Sequence, residues 1–490
     1  LSAVDADIAH RIATIQTYYN NRICPLNTVA TDFVTKLTGS ATWNGYSADE
    51  IFTSWMIYYS PWEQQKLIRI KSRDVQQLLG IDNPWASYSD FLNEYHEYKL
   101  KDAMEALRQG NSPIDKKSLT EADEKFQLVE MFYRGQFIRI FPYSIDGNVN
   151  WYSPGTPTLP RSIPVKEQFF IKQSMDYLTE SIVTGQHDRA VEIIEKIKLF
   201  QQSMIGPLLP NKSKTKAEIL YNTLRSQKWP VFLALTLSLF LCIVTLTLTR
   251  PHRLLTLLGR GLGGGLFLYV TLLLGLRWWL SGHIPVSNGH ETMLFMAWAM
   301  LLLTLLFHRK FPVIIGFGPL VASFCLLVSM LAGSNSQITP LMPVLQSPLL
   351  SIHVMTVMCA YALFALQMLL GIQGIILATH HFRKQRDEAL ERITAMSQFL
   401  LYPAVALLAI GIFLGAVWAN VSWGNYWSWD PKESWALITL MVYAAPLHKA
   451  TIHLFQKPLA YHIYMVCAFL AVLITYFGVN FLLGGMHSYA

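Results

Sequence analysis

Long apolar segments occupy most of the chain after residue 228, and they constrain the fold more than any other feature. A helix that crosses the hydrocarbon core of a membrane needs about 20 apolar residues. We count eight candidate spans, at 229–249, 262–280, 292–307, 311–333, 349–379, 397–418, 434–453 and 460–483. Because 52% of the residues are hydrophobic and only 14% are charged, the chain is predicted to be an all-α polytopic membrane protein with about eight transmembrane helices.

Residues 1–228 differ from the remainder, because their charge density is ordinary and their apolar runs are interrupted. We predict an extracytoplasmic soluble domain at 1–228, mainly helical, followed by a membrane domain at 229–490. The soluble part contains no phosphate-binding loop or hydrolase motif, so it carries no functional signal of its own.

Within the soluble part, helical apolar spacing predicts helices at 166–184 and 188–204. Ser118-Leu-Thr-Glu121 has the capping-box pattern and predicts a helix near 119–135. The segment 133–141 is predicted to be a short strand that leads into a loop rich in glycine and proline.

Basic residues separate the loops between the apolar segments into two sets. One set carries Arg250, Arg253, Arg260, Arg309, Lys310, Arg383, Lys384, Arg386, Lys449 and Lys457. The other set, at 281–291, 334–348, 419–433 and 484–490, contains only Lys432. The positive-inside rule places the first set in the cytoplasm, and therefore the soluble domain and the 419–433 segment on the periplasmic side of a bacterial inner membrane. Because much of the basic charge lies in these loops, its placement is a topology signal, and the net charge of +7 does not indicate nucleic-acid binding. We expect no nucleic-acid partner. The absence of an initiator methionine and of a signal peptide indicates a processed or partial product of a longer chain.

The segment 418–435 reads WANVSWGNYWSWDPKESW and holds five of the 14 tryptophans. Its aromatic residues are Trp418, Trp423, Tyr426, Trp427, Trp429 and Trp435. Tryptophans also collect at membrane interfaces, but such a belt is spread over many helix ends. A concentration within one loop instead predicts an aromatic-walled site at the membrane face, and a flat, apolar, partly charged ligand such as haem fits it.

The end of this loop has a structural interpretation as well. Asp430, Pro431 and Glu433 match the N-cap, first and third positions of a helix with a capping box. Lys432 either faces a haem propionate or is solvated. Arg277, before the 281–291 loop, either meets a propionate or extends to the interface.

Histidines supply candidate iron ligands, since haem iron is commonly held by one or two imidazoles. His353 lies near the predicted outer start of the 349–379 span, and His487 follows the last span. His448 lies 17 residues after Pro431, about 26 Å deeper along a helix. It therefore belongs to a second, inner haem position or extends to the interface beside Lys449.

The run from Trp423 to Trp435, WGNYWSWDPKESW, resembles the tryptophan-rich signature of haem-handling membrane proteins. It is most similar to the CcsA/ResC branch of cytochrome c synthases, the system II proteins of cytochrome c biogenesis. Segments 277–288, 345–353 and 476–489 match in the same order. The segment 21–30 resembles the extracytoplasmic part of a fused CcsB–CcsA protein.

The resemblance implies specific roles. His353 and His487 are the external ligands of haem b and the catalytic histidines, and His448 is one of two inner ligands. Other implied haem contacts are Trp423, Gly424, Tyr426, Trp427, Trp429, Asp430, Lys432 and Arg277. In fused members the second inner histidine lies in an N-terminal membrane helix, and no such helix precedes Trp229 here. A CcsB-type partner, a missing N-terminal half or another histidine of this chain is expected to supply it.

The implied activity is holocytochrome c synthase, with haem and an apocytochrome c bearing a CxxCH motif as partners. Three alternatives stay open at this point: a haem transporter or chaperone that does not attach haem, a b-type redox cytochrome, and a solute transporter with an aromatic gate.

Overall fold

The computed structural model describes residues 3–111, 113–145, 147–247, 253–309, 314–331, 337–341, 345–379 and 385–483. The chain divides into two compact units, Leu1–Ser226 and Gln227–Ala490. The candidate site residues all belong to the second unit.

Helices form most of the first unit. They are α1 (Ala6–Ala13), α2 (Leu26–Thr38), α3 (Ala48–Ile57), α4 (Tyr59–Glu63), α5 (Arg73–Leu79), α6 (Lys101–Arg108), α7 (Lys116–Tyr133), α8 (Val165–Val183), α9 (His187–Ile205) and α10 (Lys212–Ser226). The strands form antiparallel pairs: β1 (Gln16–Tyr19) with β2 (Arg22–Pro25), β3 (Thr42–Trp43) with β4 (Tyr46–Ser47), β5 (Ile68–Arg69) with β6 (Trp85–Ala86), and β7 (Phe141–Ile145) with β8 (Asn148–Tyr152).

Helices α7, α8 and α9 confirm the three predicted helices, whereas the predicted capping box of α7 and the predicted position of the strand were wrong. Helix α7 begins after Asp115, whose carboxylate accepts a hydrogen bond from the Ser118 backbone N–H at 3.0 Å. Glu121 pairs with Lys125 at 2.9 Å and takes no part in a cap. The strand lies at β7 rather than 133–141, because its partner β8 follows a tight turn in which Gly147 has a φ of 79°.

Helix α10 is held inside the first unit by ion pairs with little exposure to solvent. Glu218 accepts hydrogen bonds from Arg22 at 2.5 Å and from the Thr28 hydroxyl at 2.7 Å. Arg225 donates to Asp32 at 2.6 Å. A buried charge is costly unless it is paired, so these contacts fix how α10 lies within this unit.

The second unit is a bundle of apolar helices. They are α11 (Trp229–Thr247), α12 (Arg253–Ser281), α13 (Gly289–Phe307), α14 (Ile314–Leu331), α15 (Pro348–Thr379), α16 (Gln385–Trp423), α17 (Pro431–Ala444) and α18 (Pro458–Leu473). A π-helical segment, Ile474–Leu483, continues α18.

The prediction of an all-α polytopic membrane protein is confirmed, but the number of spans is not. Among the described residues, six helices are long and apolar enough to cross a membrane, and a seventh span is reached if Lys212–Ser226 and Trp229–Thr245 are counted together. Helix α17 falls short because its α-helical part ends at Ala444, and Ala445–His448 is a 3₁₀ turn.

Glycines allow α15 to pack closely against α16 and α18. A Cβ atom at Gly371 or Gly374 would lie within 3.0 Å of α18 atoms, and one at Gly411 or Gly415 would lie within 3.0 Å of α15 atoms. Small residues at such contacts are the usual basis of helix association in membranes. Two of these glycines face a histidine ring: Gly415 faces the candidate ligand His353, and Gly374 faces His462.

Candidate functional site

The aromatic residues gather where α16 ends and α17 begins, and we call residues 418–435 the aromatic end. Helix α16 continues to Trp423, so the connecting loop is 424–430 and is shorter than expected. The prediction that one loop carries five tryptophans was therefore wrong. Trp418 and Trp423 belong to α16, Trp435 belongs to α17, and Trp427 and Trp429 lie in the loop.

The predicted cap of α17 is confirmed. Asp430 is the N-cap residue, Pro431 occupies the first turn, and Glu433 completes the capping box. The Glu433 carboxylate also accepts a hydrogen bond from the backbone N–H of Ser428 at 2.8 Å. One side chain thus stabilises the start of the helix and ties the loop to it.

The loop presents aromatic side chains to the surroundings. Tyr426 is 59% exposed and Trp429 is 71% exposed. The rings of Trp427 and Trp429 meet edge to face, with centroids 5.9 Å apart. Trp429 has a φ of 59°, a left-handed conformation that is unusual for a bulky residue and that concentrates at functional sites. No pattern in the sequence predicts this strained backbone.

On the α16 side of the loop, the tryptophans pack inward. Trp418 is buried, and Trp423 meets it edge to face with ring centroids 4.8 Å apart. Gly424 ends the helix with a φ of 81°, so the chain turns at this residue. The aromatic end therefore combines a packed base with an exposed rim.

His353 lies near the start of α15 and rests against α16. Its Nδ1–H donates a hydrogen bond to the Gly411 carbonyl at 2.6 Å, since a carbonyl can only accept. A Cβ atom at residue 415 would lie 2.6 Å from the ring Cε1, so only glycine leaves room for the imidazole there. The hydrogen bond fixes the tautomer in which Nε2 carries the lone pair, as in histidines that ligate metals.

Helix α16 relates His353 to the aromatic end. Gly415 precedes Trp423 by eight residues, a rise of about 12 Å along a helix. The structure thus places His353 beside the last turns of the helix that leads into the aromatic loop. His487 lies outside the described residues, so its pairing with His353 stays a prediction.

Two other candidates stay predictions at positions that the structure describes. His448 is exposed, in the 3₁₀ turn that follows α17. Lys432 is half-buried in the first turn of α17, where its backbone N–H donates to the Asp430 carboxylate at 3.3 Å.

Arg277 differs from its expected placement. It is 1% exposed and its Nε donates to the carboxylate of Glu291, equally buried, at 2.6 Å. The interpretation in which it extends to the interface was wrong. Its contact with a propionate stays a prediction, but its charge is already compensated by Glu291.

Glu291 and His462 were not predicted from the sequence to be functional residues. His462 is 0% exposed, and its Nε2 lies 2.9 Å from the Thr394 hydroxyl. Its ring lies against Gly374. The Gly371-Ile-Gln-Gly374 spacing on α15 was an available signal of close helix contact.

Comparison with known proteins shows the family to which the chain belongs. A model of the family described as cytochrome c assembly protein matches residues 286–487. The cytochrome c biogenesis protein CcsA of Prochlorococcus marinus is 34% identical over 264 residues, which cover 45% of this chain and 81% of that protein. The chain belongs to the CcsA family. CcsA of Chlamydomonas reinhardtii is 39% identical over 233 residues, covering 45% of this chain and 65% of the relative.

A longer relative of this CcsA-family protein matches both units. The protein NrfI of Wolinella succinogenes is 32% identical over 486 residues, which cover 96% of this chain but 53% of NrfI. The chain thus spans about half the length of that relative. An alignment through both units is consistent with a fused CcsB–CcsA arrangement, as the resemblance indicated.

Proposed function

We propose that this CcsA-family protein is a cytochrome c synthase. It presents haem b at the extracytoplasmic face of the bacterial inner membrane and promotes thioether attachment to the CxxCH motif of an apocytochrome c. Membership in a family of cytochrome c biogenesis proteins supports the process, and the geometry around His353 supports the haem site.

The orientation of His353 is the observation that carries the proposal. A histidine that ligates a metal usually donates its other ring N–H to a carbonyl or carboxylate, which fixes the ring and raises the basicity of the ligating nitrogen. The hydrogen bond from Nδ1 to Gly411 has this form. We propose that Nε2 of His353 ligates the haem iron, with His487 as the opposite ligand.

The aromatic end supplies the surface for the macrocycle. Trp423, Tyr426, Trp427 and Trp429 are the proposed contacts of the porphyrin faces, with Gly424 leaving space for close approach and Lys432 facing a propionate. Asp430 and Glu433 act indirectly, because they hold the loop on a rigid helix end. A preformed site of this kind reduces the ordering that haem binding would otherwise require.

The chemistry itself belongs to haem and substrate. Each cysteine thiol of CxxCH adds across a vinyl group: the sulfur forms a bond to one vinyl carbon, the thiol hydrogen is transferred to the other, and no net oxidation occurs. The histidine of the motif replaces one axial ligand. The protein positions the vinyl edge toward the apocytochrome, which makes the addition effectively intramolecular.

For haem to reach the outer site, we propose a second haem-binding site on the inner side of the membrane domain. We propose that His448 contributes one ligand of an inner haem site, with the other ligand from a CcsB-type partner or from a further part of the protein. The exposure of His448 at the end of α17 is compatible with a ligand that arrives from another segment.

Coexpression with an apocytochrome c tests the proposal. Together with the CcsB-type partner or further part of the protein that completes the inner site, the wild-type protein is expected to yield covalent haem on the substrate without additional biogenesis factors. The double variant His353→Ala/His487→Ala is expected to yield none. The readout is haem that stays with the cytochrome after denaturing electrophoresis. Haem-loaded protein that never produces holocytochrome would indicate a transporter or chaperone, and full activity of the double variant would exclude the proposed ligands.

A further inference from the structure

The strongest unassigned feature is a buried ion pair between α12 and α13. Arg277 and Glu291 are both 1% exposed, and their side chains meet at 2.6 Å. The second carboxylate oxygen of Glu291 accepts hydrogen bonds from the backbone N–H and the hydroxyl of Ser287, at 2.7 and 2.6 Å. Charged residues buried in a membrane protein are rare and mark functional positions by default.

Stability alone is a weak reason for such a pair. The desolvation of two charges offsets most of their attraction, so apolar replacements of similar volume are often neutral or stabilising. What a buried pair adds is a defined geometry, because each group accepts few partners in few directions. The other partners of the pair therefore indicate its role.

One of those partners lies in the segment that precedes α15. A terminal guanidinium nitrogen of Arg277 donates to the carbonyl of Gln337 at 3.1 Å. We call residues 337–341 and 345–347 the strap. Ile338 in the strap is buried, so the ion pair holds a strap that is also packed into the unit.

The strap is connected to the first turn of α15 by its own hydrogen bonds. The Gln346 side chain donates to the Leu341 carbonyl at 3.0 Å. The Ser347 carbonyl accepts from the Ser351 backbone N–H at 3.4 Å, in the first turn of the helix that carries His353. Arg277 therefore contacts one end of the strap, and the other end of the strap is hydrogen-bonded to the first turn of α15, directly before His353.

We propose that Arg277 and Glu291 are positioning residues for His353. The buried pair anchors the strap, the strap sets the start of α15, and this setting determines how Nε2 of His353 is presented. The inference rests on the proposed function, in which His353 binds haem iron. It gives Arg277 a role in haem binding that requires no contact with the propionates.

A pair of variants separates positioning from simple stabilisation. Arg277→Met leaves the Glu291 carboxylate buried and uncompensated, so it should destabilise the protein. Arg277→Met/Glu291→Met removes both charges at similar volume and should restore thermal stability. It cannot restore the donor to Gln337. In full-length protein purified in detergent and titrated with ferric haem b, we expect the double variant to be as stable as wild type but to bind haem about tenfold more weakly, as when a ligand loses an outer-shell partner.

Coupling to His353 supplies the second readout. Haem affinity is compared in wild type, in the Arg277→Met/Glu291→Met variant, in His353→Ala and in the combination of all three. If the pair acts through His353, its removal weakens binding in the wild-type background and has no further effect once His353 is alanine. Equal losses in both backgrounds would overturn the inference, and so would a double variant that recovers full haem affinity along with stability. Arg260→Met, an exposed change on the same helix, is the matched control and should leave both unchanged.

Two outcomes distinguish failure of this inference from failure of the proposed function. If His353→Ala binds haem like wild type, the haem site itself is wrong and the inference falls with it. If His353→Ala weakens binding but the double variant does not, only the positioning role is wrong. Should the double variant fail to fold, Arg277→Lys keeps the charge beside Glu291 while its single ammonium lacks the planar fork of donors. Arg277→Lys is also expected to bind haem about tenfold more weakly than wild type. Unchanged haem affinity in this variant would again overturn the inference.

Discussion

His353, near the start of α15, and His462, on α18 beside the last turns of α15, are packed in the same way, yet their hydrogen bonding differs. Each imidazole rests against a glycine of a neighbouring helix, Gly415 for His353 and Gly374 for His462. His353 is half-buried, whereas His462 is 0% exposed. Close packing of a histidine against glycine is therefore not by itself a sign of a ligand.

The two rings differ in which nitrogen carries the lone pair. His353 donates from Nδ1 to a carbonyl, which places its lone pair on Nε2. At His462, the Thr394 hydroxyl donates to the Leu390 carbonyl at 2.8 Å, so it accepts from the ring Nε2–H. The lone pair of His462 is then on Nδ1, which is buried without a hydrogen-bond partner among the described residues. The Nε2 lone pair of His353 is the iron ligand that we propose, whereas the His462 ring joins α18 to α16 through Thr394.

Replacing each histidine with alanine should give the largest contrast. His353→Ala is expected to lower haem affinity by more than the roughly 10- to 100-fold typical of an outer-shell partner, since the iron ligand itself is lost. His462→Ala should leave haem affinity close to wild type and lower the free energy of unfolding by about 2–4 kcal/mol through the cavity it creates. Haem titration and thermal unfolding in detergent measure the two effects. Loss of haem from a folded His462→Ala protein would contradict the proposed difference between the two histidines.

Replacing Gly415 or Gly374 with alanine should also separate haem affinity from stability, but with smaller effects than replacing the histidines. In Gly415→Ala the new methyl group lies 2.6 Å from Cε1 and 2.9 Å from Nδ1 of His353, so the ring must leave the Gly411 carbonyl. We expect about tenfold weaker haem binding. In Gly374→Ala the methyl group meets the His462 ring at 2.3 Å, and the expected cost is about 1–3 kcal/mol of stability without selective loss of haem.

Gly264→Ala is the control for both glycine variants. A Cβ atom there has no neighbour within 4 Å, and alanine favours a helix more than glycine does. Haem affinity and stability should not fall in this variant. If Gly415→Ala and Gly374→Ala weakened haem binding equally, both substitutions would be disturbing the whole helix bundle rather than one histidine each.

Thr394→Val should give the smallest effect and sharpens the assignment of His462. Valine keeps the shape of threonine but cannot accept from the ring Nε2–H, so a buried donor loses its partner. The expected cost is about 1 kcal/mol, at the low end for such a loss. Thermal unfolding measures it, with haem affinity as the second readout. A variant as stable as wild type would indicate that the contact with Thr394 contributes nothing.

Sequence patterns correctly predicted the features that depend only on residues close together in the chain. The apolar segments predicted an all-α membrane domain because the bilayer core demands internally bonded backbone. The residues Asp430-Pro-Lys-Glu433 predicted the cap of α17, since a capping box involves only residues within one turn. The same local logic failed at Ser118, where Asp115 three residues earlier took the cap.

The order of residues along the chain was enough to predict the class of fold, the family, and an aromatic segment accompanied by a histidine near a helix end. The folded chain was needed to show that Trp418 and Trp423 belong to α16, that Arg277 is paired with Glu291, and which nitrogen of His353 carries the proton. The two groups of features differ in how far apart the interacting residues lie along the chain. A helix, a cap or an apolar run is specified by residues within a few turns. An ion pair or a ring tautomer depends on atoms contributed by other helices, such as the carbonyl of Gly411, 58 positions from His353.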